Sequence, residues 1–276
     1  MKSYIQIKNR ISKFDKLINV SGDKSISIRC VLLASQAIGK SKIYNLLESE
    51  DVISTLKSIK KLGINYKKIK NYYEIRGFGL KGFNTKNKVI LNAGNSGTFA
   101  RLVLGLLVDS ENEITITGDK SLSRRDFSRV TNPLKMFGAT LKSKEDQLPV
   151  KIRGSQFLRP IEYFEKLGSA QCKSSVILAA LKTPGLTRIK AKKSRNHTEL
   201  LLKSLKLPIQ TSSSKYYDYI KIKGQSNFGS FNYSVPGDIS SCSFFLVLTL
   251  LSSNSKLKIK NININKSRIG ILKILN

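Results

Sequence analysis

The chain has 276 residues, with 49 Lys and Arg against 18 Asp and Glu and a formal charge of +31, which points to acidic substrates or partners. An apolar fraction of 40% with scattered Gly and Pro excludes collagen-like and disordered chains. The longest nearly apolar stretches, residues 102–108 and 244–251, fall far short of the roughly 18 residues of a membrane-spanning helix.

The N-terminal MKSYIQIKNR has neither the apolar core nor the small-residue cleavage site of a secretory signal. Residues 1–20, alternating around Tyr4, Ile5 and Ile7, read as a strand. From Gly22 a block follows: Gly with small polar residues, an apolar helix, a polar break and a short strand. It recurs from Gly94, Gly168 and Gly237, at a period of roughly 70 residues. Each of the first three copies continues with a second helix and two strands that close on a basic tripeptide, IRG at 75–77, IRG at 152–154 and IKG at 222–224. The fourth supplies a helix at 238–251, a strand at 256–260 and the start of a helix in SRIGILKILN. A unit that stops before its strands leaves an apolar face uncovered. The expectation is therefore a truncated chain: a complete domain over 22–234, and a partial one built from 1–21 and 235–276, with the crossing at Val235-Pro236 and Leu272, Ile274 and Leu275 exposed. Cys30, Cys172 and Cys242, far apart and each in an apolar helix pattern, read as small buried hydrophobes of a reducing compartment.

The helix starts carry the chemistry. Ser21 or Asp23 can cap the first helix, Lys24 and Ser25 lie in its first turn, and Arg29 follows Ser25 by four, on the same face. A helix N-terminus offers unpaired N–H groups and a positive dipole end; two cations at that end are misplaced unless an anion binds between them. The second copy repeats this logic with Asn95, Ser96, Gly97, Thr98 and Arg101, where Gly97 lets a ligand approach the backbone. The third opens with Ser169, Ala170 and Gln171. Arg124 and Arg125 can reach a phosphate or carboxylate bidentately. Gly39-Lys40-Ser41 mimics the end of a phosphate-binding loop, but the earlier Gly is Ala34 and the order is helix to strand, the reverse of what that loop needs. His197, the single histidine, has no partner set for a metal or a triad and reads as an exposed helix start. No metal or cofactor is expected. With no aromatic-interleaved motif and no basic tail, no nucleic-acid partner is expected either.

VSGDKSISIR, LNAGNSGTFAR, GDKSLSRRD, LGSAQCKSSVILAAL, KSRNHTE and VPGDISSCSFF closely resemble, in order and spacing, the motifs of the 3-phosphoshikimate 1-carboxyvinyltransferase (EPSP synthase) family. The resemblance implies an α/β fold of the α+β type: repeated βαβαββ units in two globes, the second incomplete here, with helix N-termini facing the ligands. It also implies transfer of the enolpyruvyl group of phosphoenolpyruvate to the 5-hydroxyl of shikimate 3-phosphate through a tetrahedral intermediate, with release of phosphate. Carried over by motif, Lys24 touches both substrates. Ser25, Arg29, Ser169, Ala170 and Ser194 hold shikimate 3-phosphate, Gly97 and Arg125 bind phosphoenolpyruvate with Asn95 and Arg101 shaping that pocket, and Gln171 bridges the two. Asp126 stands where the family has Pro. The resemblance puts the general-base Asp and the later Arg and Lys contacts beyond Asn276, so this chain is expected to be an inactive fragment. A cytoplasmic protein, monomeric at full length and with no membrane partner, is also implied. The alternatives are the related UDP-N-acetylglucosamine enolpyruvyl transferase, which typically has Asn after the Lys matched by Lys24, and a non-catalytic basic anion-binding module.

Overall fold

The computed structural model describes residues 13–275; Tyr4, Ile5 and Ile7 lie outside the described residues. The chain divides into two compact units, Lys24–Val235, and Met1–Asp23 with Pro236–Asn276.

Strand β1 (Asp15–Ile18) belongs to the smaller unit. The larger unit then runs α1 (Lys24–Gln36), β2 (Ile38–Tyr44), α2 (Glu50–Lys61), β3 (Asn65–Ile69) and β4 (Tyr72–Phe78). Its second repeat is β5 (Val89–Asn92), α3 (Gly97–Leu106), β6 (Ile114–Thr117), a short α4 (Lys120–Ser123), α5 (Ser128–Met136), β7 (Thr140–Lys142) and β8 (Val150–Arg153). The third is β9 (Glu162–Glu165), α6 (Ala170–Lys182), β10 (Leu186–Lys192), α7 (His197–Ser204), β11 (Ile209–Ser213) and β12 (Tyr217–Lys223), followed by β13 (Asn232–Ser234). Three four-stranded sheets result, ordered β13-β2-β4-β3, β5-β6-β8-β7 and β11-β12-β10-β9. In each, one edge strand runs parallel to its neighbour while the other pairings are antiparallel. The βαβαββ unit is thus complete three times. The first copy borrows its leading strand, β13, from the far end of the same unit.

Two kinds of helix follow from the sequence pattern. Helices α1, α3 and α6 are apolar nearly all round and are buried along most of their length, so they form the centre. Amphipathic α2 buries Val52, Thr55, Leu56 and Ile59, one stripe at helical spacing, and turns Lys60 and Lys61 outward. Strand β10 alternates strictly between exposed and buried residues, as a sheet with one wet face requires. Gly39-Lys40-Ser41 lies inside β2, with Lys40 paired to Glu74 at 3.4 Å, and forms no phosphate loop.

Glycine is required where the repeats close. A Cβ on Gly77 would fall on the carbonyl oxygens of Ala34 and Ala37, one on Gly154 on Ser110 N and the chain at Asp109, and one on Gly224 on the carbonyls of Thr183 and Ala180. The last strand of every repeat therefore crosses the C-terminal end of its own central helix at backbone contact. Gly105 does the same between helices, since a Cβ there would strike the Ser175 carbonyl and hold α3 off α6.

The smaller unit adds α8 (Ile239–Leu250), β14 (Lys256–Ile259) and α9 (Gly270–Leu275), and β14 pairs in parallel with β1. Its core is small: Val20, Ile239 and Cys242, with Ile18, Leu246, Ile259, Ile262, Ile271 and Leu272 against them. Ile274 and Leu275 are exposed as expected, whereas Leu272 is half-buried because it packs on that cluster. All three cysteines are buried, and none forms a disulfide among the described residues. No helix among the described residues is long and apolar enough to cross a membrane.

Candidate anion-binding site

The central helices start at one end of the larger unit, and their first turns carry the residues singled out in the sequence. Lys24 opens α1, half-exposed, with its ammonium 2.8 Å from Asp51 in the first turn of α2. Asp23, a candidate cap for α1, accepts a hydrogen bond from Asn263 Nδ2 at 3.1 Å. Ser25 lends its carbonyl to Arg29 Nη1 at 2.9 Å. Arg29 is buried; its Nε donates to Thr198 Oγ1 at 2.8 Å and its Nη2 to Ser174 Oγ at 3.0 Å. The guanidinium is therefore fixed by α6 and α7 beneath the first turn of α1.

The second start is the most basic. Ser96 caps α3 by accepting from Phe99 N at 3.3 Å. A Cβ on Gly97 would stand 2.9 Å from Arg101 Nη1 and 3.2 Å from Arg125 Nη1, so the missing side chain leaves room for two guanidinium groups to close over the backbone. Arg101 donates to Gln171 Oε1 at 2.9 Å and to the Asp126 carbonyl at 3.2 Å, and it stacks on Phe127 with 4.8 Å from its central carbon to the ring centroid. Burial pulls its pKa down from the usual arginine value. Asn95 donates to Asp119 Oδ2 at 2.6 Å; hydrogen bonds from Leu122 N and from Asn95 hold that carboxyl below the usual aspartate value. Arg124 ends the short α4 and is exposed, as is Arg125.

The carboxylate of Asp126, the departure from the family pattern, is turned to the start of α5, which follows it. It accepts from Ser128 N at 2.6 Å and faces Arg129 at 3.7 Å, and the Ser128 bond is the main reason its pKa is lowered. Only its carbonyl serves the site.

At the third start, Ser169 caps α6 by accepting from Cys172 N at 3.2 Å, and Ala170 and Gln171 form the first turn. Gln171 joins the second and third starts: Nε2 donates to Thr98 Oγ1 at 2.9 Å while Oε1 accepts from Arg101. After β10, the Ser194 hydroxyl is buried with no hydrogen-bond partner among the described residues. Gly94 closes the circuit, because a Cβ there would lie 3.3 Å from Ser54 Oγ on α2, the helix that carries Asp51.

One expectation is corrected. His197 is buried at 3% exposure, not an exposed helix start, since the first turn of α7 is packed against α1 and α6. Thr198 and Glu199 are drawn in with it. Asp51, Ser174, Thr198, Lys173 and Glu199 were not anticipated, because their partners are remote in sequence and no local motif announces them. At the other end of the helices a cavity of about 280 Å³ is lined by Phe78, Leu80, Lys81, Asp109, Lys182, Gln225 and Asn227. There Lys182 is bound to both Asp109 oxygens at 2.9 and 3.0 Å, and none of the anticipated residues lies there.

Comparison with known proteins identifies the family. A family model described as EPSP synthase (3-phosphoshikimate 1-carboxyvinyltransferase) matches residues 8–276. Relatives named 3-phosphoshikimate 1-carboxyvinyltransferase include those of Streptococcus mutans, 39% identical over 98% of this chain, and Caldicellulosiruptor saccharolyticus, 41% identical over 98%. A solved structure of EPSP synthase from Acinetobacter baumannii superposes with a TM-score of 0.87 at 32% identity, over 95% of this chain and 59% of that one. The chain spans 63% and 62% of the length of the two curated relatives. With the family model matching nearly the whole chain and the fold superposing on a solved member, the chain belongs to the EPSP synthase family.

Proposed function

We propose that the larger unit binds shikimate 3-phosphate and phosphoenolpyruvate, as the binding half of an enolpyruvyl transferase that yields 5-enolpyruvylshikimate 3-phosphate and phosphate. In this reading the larger unit is the complete globe of three βαβαββ repeats, and the smaller is part of a second. The observation that carries it is Gln171, whose amide ties Thr98 and Arg101 on α3 to the start of α6 and thus makes two helix N-termini one surface. Ser169, Ala170 and the partnerless Ser194 hydroxyl face the phosphate of shikimate 3-phosphate. Gly97, Arg101 and Arg125 receive phosphoenolpyruvate, with Asn95 shaping the loop. Lys24 exchanges Asp51 for the substrates. Ser25 and Arg29 complete the first subsite, Arg29 through the carbonyl and hydroxyls it fixes.

Both ligands are polyanions, so cations and helix dipoles fixed in advance stabilise them, and the charge that develops between them, without reorganising at the moment of reaction. The carboxylates at this end are already committed: Asp51 to Lys24, Asp119 to Asn95 and to the α4 cap, Asp126 to Ser128 N, and Glu165 to Leu167 N and Ser169 N. We therefore assign the proton-transfer group to no residue of this chain. Three buried cysteines outside any disulfide fit a reducing cytoplasm, and the full-length protein is read as a monomer. Ser25 after Lys24 favours the shikimate substrate over UDP-N-acetylglucosamine.

The test is a calorimetric titration. Shikimate 3-phosphate should bind saturably at one site and on the order of tenfold or more weakly in Lys24→Ala, with no heat from UDP-N-acetylglucosamine. Binding of the sugar nucleotide alone would overturn the reading. A companion variant separates the subsites. In Gly97→Ala the atoms displaced are the ends of two flexible side chains, so stability should change by less than about 1 kcal/mol. Phosphoenolpyruvate, titrated in the presence of shikimate 3-phosphate, should bind on the order of tenfold more weakly as the two guanidinium groups are pushed off the backbone.

A further inference from the structure

We infer that Glu165 is a positioning residue for the phosphate subsite, holding the turn that aims the first N–H groups of α6; the inference rests on the proposed function.

Glu165 ends β9 at an inward-facing position, in register with Ala191 of β10, and is 3% exposed. A carboxylate there is out of place on two counts. Burying it is costly unless it is hydrogen-bonded, and it stands at the end of the unit where anions are to bind. Among the described residues it has no ion-pair partner. Its two oxygens divide the backbone of the following turn between them, Oε1 accepting from Leu167 N at 3.1 Å and Oε2 from Ser169 N at 2.9 Å.

The turn these bonds close is tight. Gly168 has φ +73°, and a Cβ there would lie 3.3 Å from the Lys193 carbonyl, so the same turn abuts the chain that carries Ser194. With Ser169 N taken by Glu165, Cys172 N by the Ser169 hydroxyl and Lys173 N by the Ser169 carbonyl, the N–H groups of Ala170 and Gln171 are, among the described residues, the free donors of the first turn, as a helix start requires. Their direction is set by the turn, and the turn by the carboxylate. The charge of Glu165 works against a bound phosphate while its geometry works for it, and these two contributions predict opposite results on removal.

The experiment compares the wild-type chain with Glu165→Ala, Glu165→Asp and Glu165→Gln. Asp keeps the charge but is too short to span both N–H groups, and Gln keeps the length but turns one acceptor into a donor. If positioning dominates, shikimate 3-phosphate binds on the order of tenfold more weakly to the Ala and Asp variants, as for a ligand misplaced by about an ångström, with Gln in between. In the ligand-free protein, amide exchange at Leu167, Ser169 and Cys172, whose N–H groups are bonded to Glu165 and to the Ser169 hydroxyl, should quicken while residues 176–181 in the body of α6 stay protected, a local change that general destabilisation does not produce. Wild-type affinity or tighter binding in Glu165→Ala, or exchange that rises along the whole helix, would overturn the inference. Failure of the wild-type chain itself to bind shikimate 3-phosphate would instead overturn the site reading on which it rests.

Discussion

Lys173→Met should lower the stability of the larger unit by about 3–5 kcal/mol, the usual result of removing one partner from a buried ion pair. The Lys173 side chain is fully buried; its ammonium stands 2.7 Å from Glu199 Oε1 and 3.7 Å from Asp218 Oδ2. The second oxygen of Glu199 is buried without a hydrogen-bond partner among the described residues, so that carboxylate depends on the lysine. Met fills the volume but leaves Glu199 charged in the interior. Urea unfolding at neutral pH would give the loss, and Lys173→Met combined with Glu199→Gln should recover part of it. A loss below about 1 kcal/mol would mean that water reaches the pair. The consequence also reaches the site: these three residues tie α6, α7 and β12 together, and Lys173 and Glu199 adjoin Ser174 and Thr198, the residues that fix Arg29.

Gly224→Ala should cost about 3 kcal/mol, near the upper end for overpacking, because the added carbon meets backbone on two sides and no side chain can swing away. Gly154→Ala and Gly77→Ala should follow it, each in its own repeat. Gly229→Ala is the control, since nothing lies within 4 Å of the carbon it adds. Thermal or urea midpoints would decide; equal midpoints for Gly224→Ala and Gly229→Ala would show that the strand ends do not press on the helix ends.

The repeat could be read from the sequence because its signal is local. Gly with small polar residues before an apolar helix, and a basic tripeptide ending in Gly after two strands, recur whether or not the chain folds. The physical reason for the closing glycine needed the structure, since the helix end it touches lies far back in the chain. The borrowed strand β13 was not legible for the same reason: a three-residue strand has no periodicity, and only its pairing with β2 defines it. The helix starts were legible as cations at the wrong end of a dipole, which is why Lys24, Gly97, Arg101 and Arg125 stood out. His197 was misjudged because exposure was inferred from its place at a helix start, whereas α7 enters the core by its first turn. Glu165 gave no signal at all, as an acid at the end of a strand is ordinarily a wet one.

In the proposed function, three helix starts in the larger unit form one binding surface for shikimate 3-phosphate. Mapping amide chemical-shift changes as that ligand is added tests it most directly. The account predicts that Ser25, Ala170, Gln171 and Ser194 shift together along one saturation curve, and that Asp109 and Lys182 at the opposite end stay still. Shifts confined to the Lys182 end, or separate curves for the α1 and α6 starts, would contradict it.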